Sequence, residues 1–150
     1  MALGNIRDDF IFLHADTLSE RSVIKGLISS NSDVCLAADF KKCGAEEMKL
    51  WLKDDKIIRI TKLDIGFEAQ GEFVGVAKFS KKMESYFIHK SEEIFKKGIL
   101  DSYMEQVLDN ALLDNSLVVD YFDSSHYKTI EVDFIEDLEL ARLMFSEKKT

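Results

Sequence analysis

Apolar residues in this chain come in unbroken runs, in alternation and at helical spacing, and each pattern predicts a different element. Residues 10–14 (FIFLH) and 34–39 (VCLAAD) are continuous apolar runs, the pattern of strands buried on both faces. Between them, residues 19–30 place Val23, Ile24, Leu27 and Ile28 on one helical face, with Ser19 as N-cap. Strand, helix, strand is a βαβ unit and predicts two parallel strands. Residues 48–63 instead alternate on both sides of Asp54-Asp55, which predicts a β-hairpin with a tight turn, one face packed and one wet. Residues 72–80 (EFVGVAKFS) read as another strand, and Gly75 in its middle marks a close approach by a ligand or another backbone.

Ser80 caps a helix that runs to about residue 97, with Met83, Phe87, Ile94 and Phe95 apolar. Asp101 caps the next, with Met104, Val107, Leu108 and Ala111 inward. Two short strands follow at 116–122 and 126–132, then a final helix over 134–146 with Leu138, Ala141, Leu143 and Phe145 apolar. The expected architecture is α/β: a mainly parallel, mixed sheet flanked by helices, with an inserted antiparallel hairpin, in one domain spanning 1–150.

Composition narrows the chemistry. A chain of 150 residues with 46% hydrophobic and 32% charged residues fits one soluble globular domain. No apolar run approaches the ~20 residues of a membrane helix, and the start of the chain lacks the pattern of a secretion signal, so a cytoplasmic location is expected. A net charge of −8 argues against nonspecific binding to nucleic acid, whose phosphates demand a basic face. It does not argue against a nucleotide held with a divalent cation, for which carboxylates are the ligands. Cys35 lies in an apolar run and Cys43 in a polar loop, with no CxxC and no histidine pair, so neither zinc nor a disulfide framework is expected.

Two aspartates stand where strands end. Asp16 follows the 10–14 strand, and Asp133, in TIEVDFIEDL, follows the last strand and opens the last helix. Ligands of open α/β sheets bind beyond the carboxyl ends of strands, so two such acids could share one hard cation with a substrate's phosphate oxygens. Each has a plainer reading. Asp133 with Glu136 three residues on is a capping-box-like pair, and Asp16 suits a turn. His14 is near Asp16, but imidazole is a poor ligand for magnesium and reads as a strand-end residue.

The order FIFLHADTL, DVCLAAD, KIIRITKLD, GEFVGVAKFS, SYMEQVL, TIEVDFIEDLELAR resembles the sugar-phosphate and phosphocholine type of nucleotidyltransferase. It is most similar to cytidylyltransferases acting on phosphocholine or aminoethylphosphonate. The resemblance covers nearly the whole chain, and GEFVGVAKFS and the EVDxxEDL ending are its more specific parts. It implies a nucleotide-diphospho-sugar-transferase-like fold in which Asp16 and Asp133 hold Mg2+. It further implies that Lys62 faces phosphate and that Glu72 and Glu131 lie near the polar or cationic end of an acceptor. The partners implied are a nucleoside triphosphate, CTP by resemblance, and a small phosphorylated acceptor. The family's turn reads Gly-Asp where this chain has Ala15-Asp16, a small change.

A larger departure is the family's opening strand and glycine-rich loop, which wrap the triphosphate with backbone N–H groups. The seven glycines here, at 4, 26, 44, 66, 71, 75 and 98, form no such cluster, so the fold is expected to be incomplete, like the last two thirds of the enzyme. The 10–14 strand should then show an apolar edge, to be covered by a second copy or by a separate amino-terminal half. Aromatics Trp51, Tyr103 and Tyr121 could face a quaternary ammonium, though such residues also serve as core. The functional alternative to an enzyme half is an inactive remnant serving as an interaction or regulatory module.

Overall fold

The unbroken run VCLAAD is buried on both faces because each face meets a different layer. In the computed structural model, which describes residues 7–98 and 104–146, this run forms β3 (Val34–Asp39). Val34, Leu36 and Ala38 point into the larger core, and Cys35 and Ala37 into a smaller one on the other side. The smaller core is closed by Val23 and Leu27 of α1 (Arg21–Ile28). The larger is closed by α2 (Lys81–Lys96) and α3 (Met104–Leu113), through Met83, Ile94, Val107, Leu108 and Ala111.

Beside β3 runs β6 (Gly71–Phe79), antiparallel, and on the far side of β6 lies β1 (Phe10–Leu13), also antiparallel to it. β1 and β3 therefore run in the same direction, as the strand-helix-strand pattern requires, but with β6 between them rather than side by side. The hairpin is β4 (Lys49–Lys53) and β5 (Lys56–Thr61). Asp54 and Asp55 form its turn with φ of 52° and 58°, the left-handed pair of a type I′ turn. β4 joins the edge of β6 at Gly71 and Glu72, and β7 (Val119–Asp123) adds to β3 in parallel. The sheet order is β5-β4-β6-β3-β7, with β1 on β6. The sheet is mixed as expected but mainly antiparallel rather than mainly parallel, since β6 runs against both β1 and β3 and among the described residues parallel pairing is confined to β3 and β7.

A second, two-stranded ribbon joins β2 (Thr17–Ser19) to β8 (Thr129–Glu131), ahead of α4 (Ile135–Phe145). This ribbon corrects the expected start of α1. Ser19 belongs to β2, its Oγ 3.3 Å from Thr129 Oγ1, and Glu20 takes the N-cap position. Three residues expected on apolar helical faces meet solvent instead: Ile28, Phe95 and Leu143. Ile28 and Phe95 sit at helix ends beyond the packed stripe, and α4 buries only Ala141. The Asp101 cap and Tyr103 fall outside the described residues.

The 10–14 strand departs from its expected burial for a related reason. Phe10, Ile11 and Phe12 are half-buried and Leu13 is exposed, because β1 pairs with β6 on one edge and with no described strand on the other. Among the described residues no helix is long and apolar enough to cross a membrane.

Candidate metal and acceptor site

The β2–β8 ribbon brings residues 17–19 against residues 129–131, far along the chain. Thr17 lies opposite Glu131, and the Val132 N–H donates to the Asp16 carbonyl at 2.9 Å. Asp16 and Asp133 thereby reach the same open cleft, of about 1040 Å³, at one rim of the sheet. Lys62, Glu72 and Glu131 line it as well. The five charged residues that the resemblance placed in the site are thus gathered around one cleft, although what each does there is a further question.

Asp133 does not cap α4. The cap is supplied from inside the helix by Asp137, whose Oδ2 accepts from the N–H groups of Phe134 (2.9 Å) and Asp133 (3.2 Å). This is the reaching-back half of a capping box, displaced one residue from the Asp133–Glu136 pair that the sequence suggested. The Asp133 side chain is left exposed at the cleft, with its carboxylate accepting no hydrogen bond from the described residues.

Glu131 is the electrostatic centre of the cluster. Partial burial of its carboxyl and the charges of Asp133 and Asp16 hold it above the usual glutamate range, with Glu72 adding to the effect and His14 opposing it. A carboxyl raised by surrounding carboxylates is relieved by a cation placed among them. His14, Asp16 and Glu131 each offer one ligand atom, and these atoms lie within 4.8 Å of one another. That donor set fits a divalent cation, and of the two aspartates expected to hold one it includes Asp16 but not Asp133.

His14 enters the cleft because Gly75 makes room. A Cβ at Gly75 would sit 2.7 Å from His14 Nδ1 and 2.8 Å from Thr17 Oγ1, and the glycine has φ +77°. The His14 N–H donates to the Gly75 carbonyl at 2.8 Å, so the close approach expected there is that of the β1–β2 turn. Edge contacts with Phe12 and Phe73 hold the ring at 5.3 and 5.8 Å between centroids. His14 Nε2 lies 3.2 Å from Oε1 of Glu105, which is only 4% exposed. One turn along α3, Asp109 takes a two-pronged bond from Arg59 at 2.8 Å and accepts from the Ile60 N–H at 3.0 Å, which fixes α3 against β5.

The basic residues of the cleft are Lys41 and Lys62, and both face acids. Lys41 Nζ lies 2.7 Å from Glu72 and 3.6 Å from Asp39, and Lys62 Nζ lies 3.8 Å from Glu46. Burial acts to lower the Lys41 pKa, but the bond to Glu72 and the surrounding acids outweigh it and hold the ammonium above the usual lysine range. Trp51 is core, 2% exposed and packed edge-on against Phe67, and Tyr121 packs edge-on against Phe40. Neither lines the cleft, and the aromatics that do are Phe12, Phe73, Tyr127 and Phe134. Glu105 and Tyr127 carried no signal in the sequence, because helical spacing and strand alternation say nothing about which neighbour a side chain meets. His14 did carry one, its place two residues before Asp16.

The mixed sheet with helices on both faces is a fold shared with solved structures named for nucleotidyl transfer. No family model matches the sequence, and no curated protein sequence matches it. Solved structures do. The inositol-1-phosphate CTP transferase from T. maritima superposes with a TM-score of 0.71 at 20% identity, over 93% of this chain and 56% of that one. The nucleoside-diphosphate-sugar pyrophosphorylase from Vibrio cholerae gives 0.59 at 14% identity, over 92% and 58%. The CTP:phosphocholine cytidylyltransferase from Streptococcus pneumoniae gives 0.59 at 14% identity, over 91% and 57%. The chain therefore spans a little over half the length of these structures.

Proposed function

We propose that this chain carries the metal and acceptor half of a cytoplasmic nucleotidyltransferase site. The reaction joins a nucleoside monophosphate, taken from a nucleoside triphosphate, to a small phosphate or phosphonate acceptor. The acceptor oxygen attacks the α-phosphorus, and pyrophosphate leaves. CTP is favoured because two of the similar structures are named for cytidylyl transfer. The observation that carries the reading is the convergence of Asp16 and Asp133, more than a hundred positions apart, on one cleft beside Glu131.

In this reading Asp16 and Asp133 hold Mg2+, which when bound offsets the negative charge that builds on the phosphate oxygens. Glu72 and Glu131 face the polar or cationic end of the acceptor, and Lys62 faces its phosphate. The cleft's two lysines sit among carboxylates, so they leave little positive charge for a triphosphate. Its cradle would come from a separate amino-terminal half or from a second copy of the chain, docked on the open edge of β1. The same pairing of the lysines favours the alternative, an inactive remnant serving as an interaction module.

Isothermal titration with magnesium, in the presence of inositol-1-phosphate or phosphocholine, tests the metal site on which the first reading rests. Wild type should bind, and Asp16→Ala and Asp133→Ala should each lose most of the affinity. Equal binding by all three proteins would overturn the site.

A further inference from the structure

We propose that the cation site of this cleft is a mixed nitrogen–oxygen site, with His14 and Glu131 joining Asp16 as ligands and Glu131 thereby turned from the acceptor to the cation, and that it therefore prefers Mn2+ to Mg2+. This rests on the reading of the cleft as a metal site but goes beyond it, since two aspartates alone would make an all-oxygen site. The three ligand atoms already lie within 4.8 Å of one another. The imidazole is held in place from several sides: Gly75 gives it room, Phe12 and Phe73 flank it, and Glu105 lies 3.2 Å from its Nε2.

Glu105 is the independent observation. A carboxylate 4% exposed is costly to bury without a partner, and the partner it has is His14. With Glu105 on Nε2, the nitrogen left for a cation is Nδ1, and a carboxylate behind an imidazole in this way orients the ring and raises its basicity as a ligand. The Asp109 clamp on Arg59 fixes α3 and so fixes Glu105 one turn away. Oxygen ligands alone suit Mg2+, which demands octahedral geometry and dehydrates reluctantly. An imidazole nitrogen in the set moves preference toward the transition metals.

The test uses the metals alone on the whole chain, with Mn2+ followed by electron paramagnetic resonance and Mg2+ by competition. Wild type should bind Mn2+ at least ~10-fold more tightly than Mg2+, and its bound Mn2+ should show nitrogen modulation in the echo-detected spectrum. His14→Gln should abolish the modulation and bring the two affinities together, and Glu105→Gln should weaken Mn2+ by ~10-fold or more with the modulation retained. Bound Mn2+ without nitrogen modulation in the wild type would overturn the proposal whatever the variants do. If Asp16→Ala and Asp133→Ala still abolish binding in that case, the metal and acceptor reading stands and only the role of His14 falls. If those variants bind as wild type does, the earlier reading falls as well.

Discussion

At the scale of single residues, the question left open by the sequence was whether Asp133 caps a helix or faces a ligand. The structure removes the cap role through a neighbour: Asp137 takes the two N–H groups at the start of α4, and the Asp133 carboxylate is left at the cleft. The two roles predict different costs. Asp137→Ala should lower stability to urea by about 1 kcal/mol, the ordinary worth of a cap, while Asp133→Ala should leave it nearly unchanged. The reverse ranking of the urea midpoints would return Asp133 to the cap. Spacing alone placed the cap one residue too early, because Asp133–Glu136 and Phe134–Asp137 fit the same four-residue frame and only the backbone path decides between them. Gly75 was more legible: a glycine inside an apolar strand has few reasons to be there, and close approach was the one that applied.

At the scale of elements, long patterns were readable and short ones were not. The hairpin, β3, β6, α2 and the buried face of α3 each carry enough alternation or helical spacing to announce themselves. β2 and β8 are three residues each, too short for a period, yet their pairing builds the site. β6 lies between β1 and β3 through contacts distant in the chain, which no local pattern encodes. The start of β1 is tied to β6 and α2 by Asp9, whose carboxylate lies 3.1 Å from Lys78 Nζ and accepts from the Lys81 N–H at 3.2 Å. The Lys78 bond, then the Lys81 N–H, hold the Asp9 carboxyl below its usual value of 3.8. A lowered carboxyl stabilises the fold above its unfolded value, and that contribution fades as pH falls below about 3.8 through the folded one. Asp9→Asn should therefore be less stable than wild type near neutrality, with the gap in urea midpoints closing below that pH. A gap that stays constant into acid would show that Asp9 is not coupled to the fold in this way.

At the scale of the whole molecule, two features belong together: a cleft rich in carboxylates, and a β1 edge that no described strand covers. The charge of −8 argued against nonspecific binding to nucleic acid, but it could not show that so many of those acids share one rim. The fold class was legible because the order of segments is retained along nearly the whole chain, and the similar solved structures bear it out while covering little more than half their own length. The proposed function requires one cation held between distant aspartates. Anomalous diffraction from crystals soaked in Mn2+ tests this most directly. The expected result is a single strong peak within bonding distance of the Asp16 and Asp133 carboxylates, at the mouth of the β2–β8 ribbon. A peak whose ligands include neither residue, or no peak at saturating Mn2+, would contradict it.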